Sequence, residues 1–129
     1  MSQENVELVR RCVSSWIRRD LDPEEFWAED IEWHAAPEEP DARGPVLRGR
    51  QSVYETVTDW FEQFGPSDIE VDEFLDCGNG VLVCARIRLE GTEAWLPGFH
   101  LYTVAEGKVR SVRVFLRRDQ ALEAAGLEE

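Results

Sequence analysis

The sequence predicts an α+β fold in which a curved antiparallel sheet wraps around a long helix. Three observations carry that expectation. Apolar residues recur at helical spacing up to about residue 64 and at a spacing of two from residue 69 onward. Gly78-Asn79-Gly80, Gly91-Thr92 and Glu106-Gly107 divide the second half into four strand-like runs. Links this short join antiparallel neighbours, so helices and strands segregate along the chain instead of alternating.

The first helix is expected from about Glu4 to Arg19, where Val6, Val9, Cys12, Val13, Trp16 and Ile17 form one apolar stripe. Glu4 and Glu7 stand at its start and Arg10, Arg11, Arg18 and Arg19 towards its end, complementing the helix dipole. Asp22-Pro23-Glu24-Glu25 reads as a cap, a first-turn proline and a capping-box glutamate, opening a short helix through Phe26 and Trp27. A brief strand is expected at residues 31–35 and a proline-rich loop at 36–48. Val53, Val57, Trp60, Phe61 and Phe64 mark one face of a third helix, stopped by Gly65-Pro66. Strands follow at 69–76, 81–90, 93–104 and 108–116, and Asp119 caps a last helical piece at 120–125 ended by Gly126.

The chain has 129 residues and 14.9 kDa, enough for one compact domain spanning 1–129. At 43% hydrophobic and 32% charged residues, its composition is that of a soluble globular protein. No apolar run approaches the roughly 20 residues of a membrane-spanning helix, and MSQENVELVRR lacks a signal-peptide core. A cytoplasmic location is therefore expected, with no membrane partner. The net charge of −13 repels phosphate backbones and argues against nucleic acid. Acids crowd residues 20–41 and 51–85, which hold no lysine or arginine and read as solvated faces. Lys108 is the sole lysine, a bias attributed to a GC-rich genome. Cys12, Cys77 and Cys84 are odd in number and lack CxxC spacing, which suits reduced thiols.

On this layout the chain resembles the SnoaL-like branch of the nuclear transport factor 2-like superfamily, which includes ketosteroid isomerase relatives. The most specific pieces are Leu47-Arg48-Gly49-Arg50-Gln51-Ser52-Val53, the run from His100 to Val109 (HLYTVAEGKV), and the tail from Phe115 to Leu127 (FLRRDQALEAAGL). The resemblance implies a cone-shaped fold, a pocket between sheet and helices for a small, largely apolar molecule, and a homodimer through the outer sheet face. Apolar residues on both sides of the strands agree with that dimer: Val81, Val83, Ala85, Ile87 and Leu89 on one face, Leu82 and Cys84 on the other.

Candidate site residues follow from strand alternation together with the resemblance. His100 and Tyr102 share a strand face. Counting back from Glu106-Gly107, His100 falls where ketosteroid isomerases place the protonated aspartic acid of an oxyanion hole. His34 is the second acid/base candidate, near the place of the isomerase general base. Since His34 and Glu32 share one face and Trp33 takes the other, only one set can line a cavity. The isomerase tyrosine of the first helix corresponds to Cys12, so steroid isomerisation by the familiar route is not expected.

Trp33, Tyr102, Trp95 and Phe115 are candidate ligand contacts. So are Arg86 and Arg88, which would suit a carboxylate if they turned inward; the alternative pairs them with acids at the surface or a dimer interface. No metal-ligand spacing is present, and no GxGxxG, GxxxxGK[ST] or GxSxG motif, so neither a metal nor another cofactor is expected. Two functions remain open: a cofactor-independent isomerase, cyclase or hydratase using His100 and His34, or a non-catalytic ligand-binding or dimerisation module of the same fold.

Overall fold

The computed structural model describes residues 2–36, 46–64 and 66–128. The elements run α1 (Ser2–Ile17), α2 (Pro23–Phe26), β1 (Trp27–His34), β2 (Val46–Arg48), α3 (Arg50–Phe64), β3 (Pro66–Asp76), β4 (Gly80–Leu89), β5 (Trp95–Ala105), β6 (Lys108–Phe115) and α4 (Arg118–Ala125). The strands make one curved, unclosed sheet in the order β2-β1-β6-β5-β4-β3. β3 to β6 pair as successive antiparallel hairpins, as their short links require. β1 pairs antiparallel with β2 and parallel with β6.

The concave side holds the larger core. Val9, Cys12 and Val13 of α1 and Val53, Val57 and Phe61 of α3 bury their stripes against Ile31, Val81, Val83, Tyr102, Val109 and Val112 of the sheet. Ile31, Val53, Val81, Val109 and Val112 lose all contact with solvent.

Several boundaries shift for identifiable reasons. The Asp22 cap forms as expected, its side chain accepting the Glu24 N–H at 3.0 Å. The helix it opens stops at Phe26, because Trp27 is already extended, pairs with Val109 and starts β1 earlier than the expected strand. The Arg50 guanidinium fixes that corner by donating two hydrogen bonds, at 3.0 and 3.2 Å, to the Trp27 carbonyl. Lys108 ties α2 to the β5–β6 turn, donating to the carbonyls of Glu24 and Glu25 at 2.7 Å each. Of the expected loop at 36–48, residues 37–45 lie outside the described residues and 46–48 form β2. Gly65 of the helix stop also lies outside them. At the other end Asp119 falls inside the first turn of α4, while Gly126 ends the helix in the left-handed region at φ 75°.

The convex side carries a second core. Leu82, Cys84, Phe99, Leu101 and Phe115 point outward and are covered by Ala121 and Leu122 of α4. The two-sided apolar pattern that argued for a homodimer therefore has an explanation within one chain: its own last helix packs there. Among the described residues no helix is long and apolar enough to cross a membrane.

If α4 seals this face, Leu122→Ala should cost about 2–5 kcal/mol of stability, the range for a buried leucine truncated in a core. Urea unfolding measures it, and a loss no larger than that of an exposed substitution would mean that α4 does not hold the convex core.

Candidate ligand site on the concave face

Alternation along β5 turns His100 and Tyr102 to the concave side. There they stand beside Val83 and Val81 of β4 and Val114 and Val112 of β6. Around the imidazole the elements deliver aromatic rings. Trp33 of β1 lies 5.6 Å away between centroids, Trp16 of α1 5.9 Å, and Tyr102 6.3 Å. Trp16 in turn meets Phe61 of α3 edge-on at 4.9 Å.

The His100 ring is packed among these groups, and the residue as a whole is half-buried. Burial drives its pKa down from an ordinary 6.5 to about 4. At pH 7 the imidazole is therefore neutral, protonated in about one molecule in a thousand, with one nitrogen to donate and one to accept. The neighbouring groups are held neutral as well. Burial raises the Tyr102 phenol well above its usual 10, helped by the Cys12 thiol. It also pushes Cys12 up to about 12, against a lowering by the Trp27 indole.

Among the described residues no side chain hydrogen-bonds the His100 ring or the Tyr102 hydroxyl, so the polar partner expected for His100 is absent. The Trp16 and Trp27 indole N–H groups are buried and also lack an acceptor; that of Trp27 lies by the Cys12 thiol without completing a hydrogen bond. The sequence marked Trp16 only as core bulk. Its place one helical turn after Cys12, on the stripe facing the sheet, was the available signal.

The other candidates lie elsewhere. His34 is on the opposite side of β1 from Trp33. Its Nε2 stands 3.1 Å from Glu32, whose other oxygen accepts from Arg48 at 3.2 Å. His34 and Arg48 together hold the Glu32 carboxyl below its ordinary range. The larger apolar surface of Trp33 takes the concave side, and the polar pair keeps the water, so His34 does not stand beside His100.

Arg86, Arg88, Trp95 and Phe115 are all convex. Arg86 pairs with Glu70 at 2.7 Å and Asp72 at 3.5 Å, and Arg88 pairs with Asp68. Both guanidiniums stack on Trp95, at 5.1 and 5.9 Å. Phe115 is buried beneath α4. None of the four can touch a molecule beside His100.

Two open clefts lie away from His100. One of about 510 Å³ runs beside α1 and α2, and one of about 290 Å³ on the convex side is lined by Cys84, Arg86, Trp95 and Arg118. Among the described residues no cluster of three or more metal-ligating side chains occurs.

The profile of the SnoaL-like domain family matches residues 9–112. The chain belongs to the SnoaL-like family. No curated protein matches it by sequence. Solved structures resemble this SnoaL-like chain along most of its length. A protein described as a SnoaL-like polyketide cyclase from Jannaschia sp. CCS1 is 19% identical, with TM-score 0.72, over 98% of this chain and 94% of that one. A ketosteroid isomerase, so described, from Kribbella flavida DSM 17836 is 19% identical, with TM-score 0.68, over 90% and 79%. TerC co-crystallised with polyporic acid is 21% identical, with TM-score 0.69, over 95% and 98%. At such identities the likeness establishes the fold.

Because His100 takes up its proton at lower pH in the folded than in the unfolded chain, folding loses stability as pH falls from 6.5 towards 4. Relative to His100→Leu, the wild type should lose as much as about 3 kcal/mol across that window. Urea titrations of both proteins read the difference; parallel pH profiles would place the imidazole in water.

Proposed function

We propose that the concave hollow binds a small, uncharged, largely apolar molecule carrying a hydrogen-bonding oxygen, and that His100 holds that oxygen. One observation carries this reading: a neutral imidazole enclosed by Trp16, Trp33 and Tyr102 without a polar protein partner. A ligand oxygen would supply the hydrogen bond that the imidazole lacks within the protein, a net gain of about 0.5–1.5 kcal/mol. Neutral neighbours and ring faces favour flat, uncharged surfaces over ions. The SnoaL-like relatives described as a cyclase and an isomerase, and the one co-crystallised with polyporic acid, support a small organic ligand. The free cysteines fit a reducing, cytoplasmic setting. Trp95, 37% exposed, offers the uncovered part of the convex face to a homodimer.

The chemistry open to such a site needs no cofactor. Isomerisation, cyclisation or hydration would proceed by hydrogen-bond donation from neutral His100, with the Tyr102 hydroxyl and the Trp16 N–H nearby, to an oxygen gaining negative charge. A base with a pKa near 4 removes protons only from acidic carbon or oxygen centres. The position of His34 outside the hollow specifically favours the second reading, a binding module without turnover, because the two-histidine acid/base pair does not assemble.

A thermal-shift screen of apolar aromatic molecules, each tested beside its carboxylate analogue, examines the proposal. Uncharged compounds should raise Tm and their carboxylates should not. His100→Leu should keep the fold and weaken the best compound about tenfold, the equivalent of one buried hydrogen bond. A preference for the carboxylates, or unchanged binding by the variant, would overturn it.

A further inference from the structure

Outside the hollow, the cleft of about 510 Å³ departs from the acidic character of the chain. Arg10, Arg11, Ser14 and Arg18 fall on one side of α1 and its end, and across the cleft stand Asp20 and Glu25. Three guanidiniums thus meet two carboxylates in a chain of net charge −13.

The pairing leaves much of each guanidinium free. Arg11 Nη2 touches Glu25 at 3.1 Å and Arg18 Nε touches Asp20 at 3.3 Å, one atom each. Among the described residues Arg10 pairs with Glu7 alone, outside the cleft, at 3.9 Å. These arginine side chains are 52–63% exposed, so the pairs contribute little and yield readily to a stronger anion.

Two guanidinium planes are also set in advance. Arg11 lies over the Phe26 ring at 5.5 Å and Arg10 over Phe74 at 4.5 Å. Stacking holds the plane while its N–H edge remains available for in-plane, bidentate contact with an oxyanion. The end of a helix ordinarily opposes an anion. Here the carbonyls of Ser14, Ser15 and Trp16 are each taken by a backbone N–H, from Arg18, Asp20 and Arg19, at 2.9–3.1 Å. The negative end is largely quenched.

We propose that this cleft is a second binding site, for a small oxyanion of two or more negative charges, clamped by Arg11 and Arg18 with Arg10 and Ser14 beside them. Phosphate esters and polycarboxylates share that chemistry. Inorganic pyrophosphate stands for the first and citrate for the second, and the tighter probe names the source.

Isothermal titration of the full chain at low ionic strength should show one site of submillimolar affinity for one of the two. Arg11→Gln with Arg18→Gln should weaken it at least about tenfold, as loss of charge-assisted bonds requires, and added salt should weaken it too. Arg117→Gln, an exposed arginine paired with Asp119 away from the cleft, should leave it unchanged. Far-UV circular dichroism confirms that the variants fold. No heat with either probe at millimolar concentration, or equal weakening by Arg117→Gln, would overturn the site.

Discussion

Alternation of side chains along β5 is the constraint on which both sides of this SnoaL-like protein depend. Phe99 and Leu101 face outward into the core beneath α4, and His100 and Tyr102 face inward to the helices. Pairing on both flanks holds that register: Leu101 lies opposite Leu82, and His100 stands between Val83 and Val114. A slip of one residue would bury the imidazole under α4 and turn Phe99 and Leu101 to the concave side. Both cores oppose such a slip together, so α4 keeps the imidazole in place without touching it.

Electrostatics divide along the same sheet. The concave side carries groups that burial keeps neutral, namely the His100 imidazole, the Tyr102 phenol and the Cys12 thiol. Charge is kept on the outside, where the acids of β3 meet Arg86 and Arg88 and where Glu32 joins His34 to Arg48. The division is physical, since a carboxylate buried among these rings would lose its water. A neutral histidine in this setting recognises an oxygen more readily than it moves a proton.

The sequence made much of this legible, and what it left unread has physical causes. Long periodic segments declared themselves: Val53, Val57 and Phe61 of α3 are buried as their spacing required, and turn chemistry set the antiparallel pairing from β3 to β6. His100 and Tyr102 were placed on the correct shared face because alternation suffices for that. The choice between His34 and Trp33 needed the register of β1, which depends on the Trp27–Val109 pairing and on Arg50 from a distant helix. Leu82, Cys84 and Phe115 read as interface or pocket residues because a period-two pattern states only that a face is covered. That α4 does the covering is a tertiary fact. Arg86 and Arg88 found their acids across strands, at Glu70, Asp72 and Asp68, and no local pattern announces that.

Everything proposed for the concave side turns on a His100 that is neutral and shielded from bulk water. Nitrogen-15 NMR of the imidazole through a pH titration tests it most directly, because the ring shifts report both protonation and tautomer. The ring should stay neutral throughout the neutral range, with protonation setting in only as pH approaches about 4. A titration midpoint near the ordinary 6.5 would contradict it, by showing an imidazole that water reaches freely.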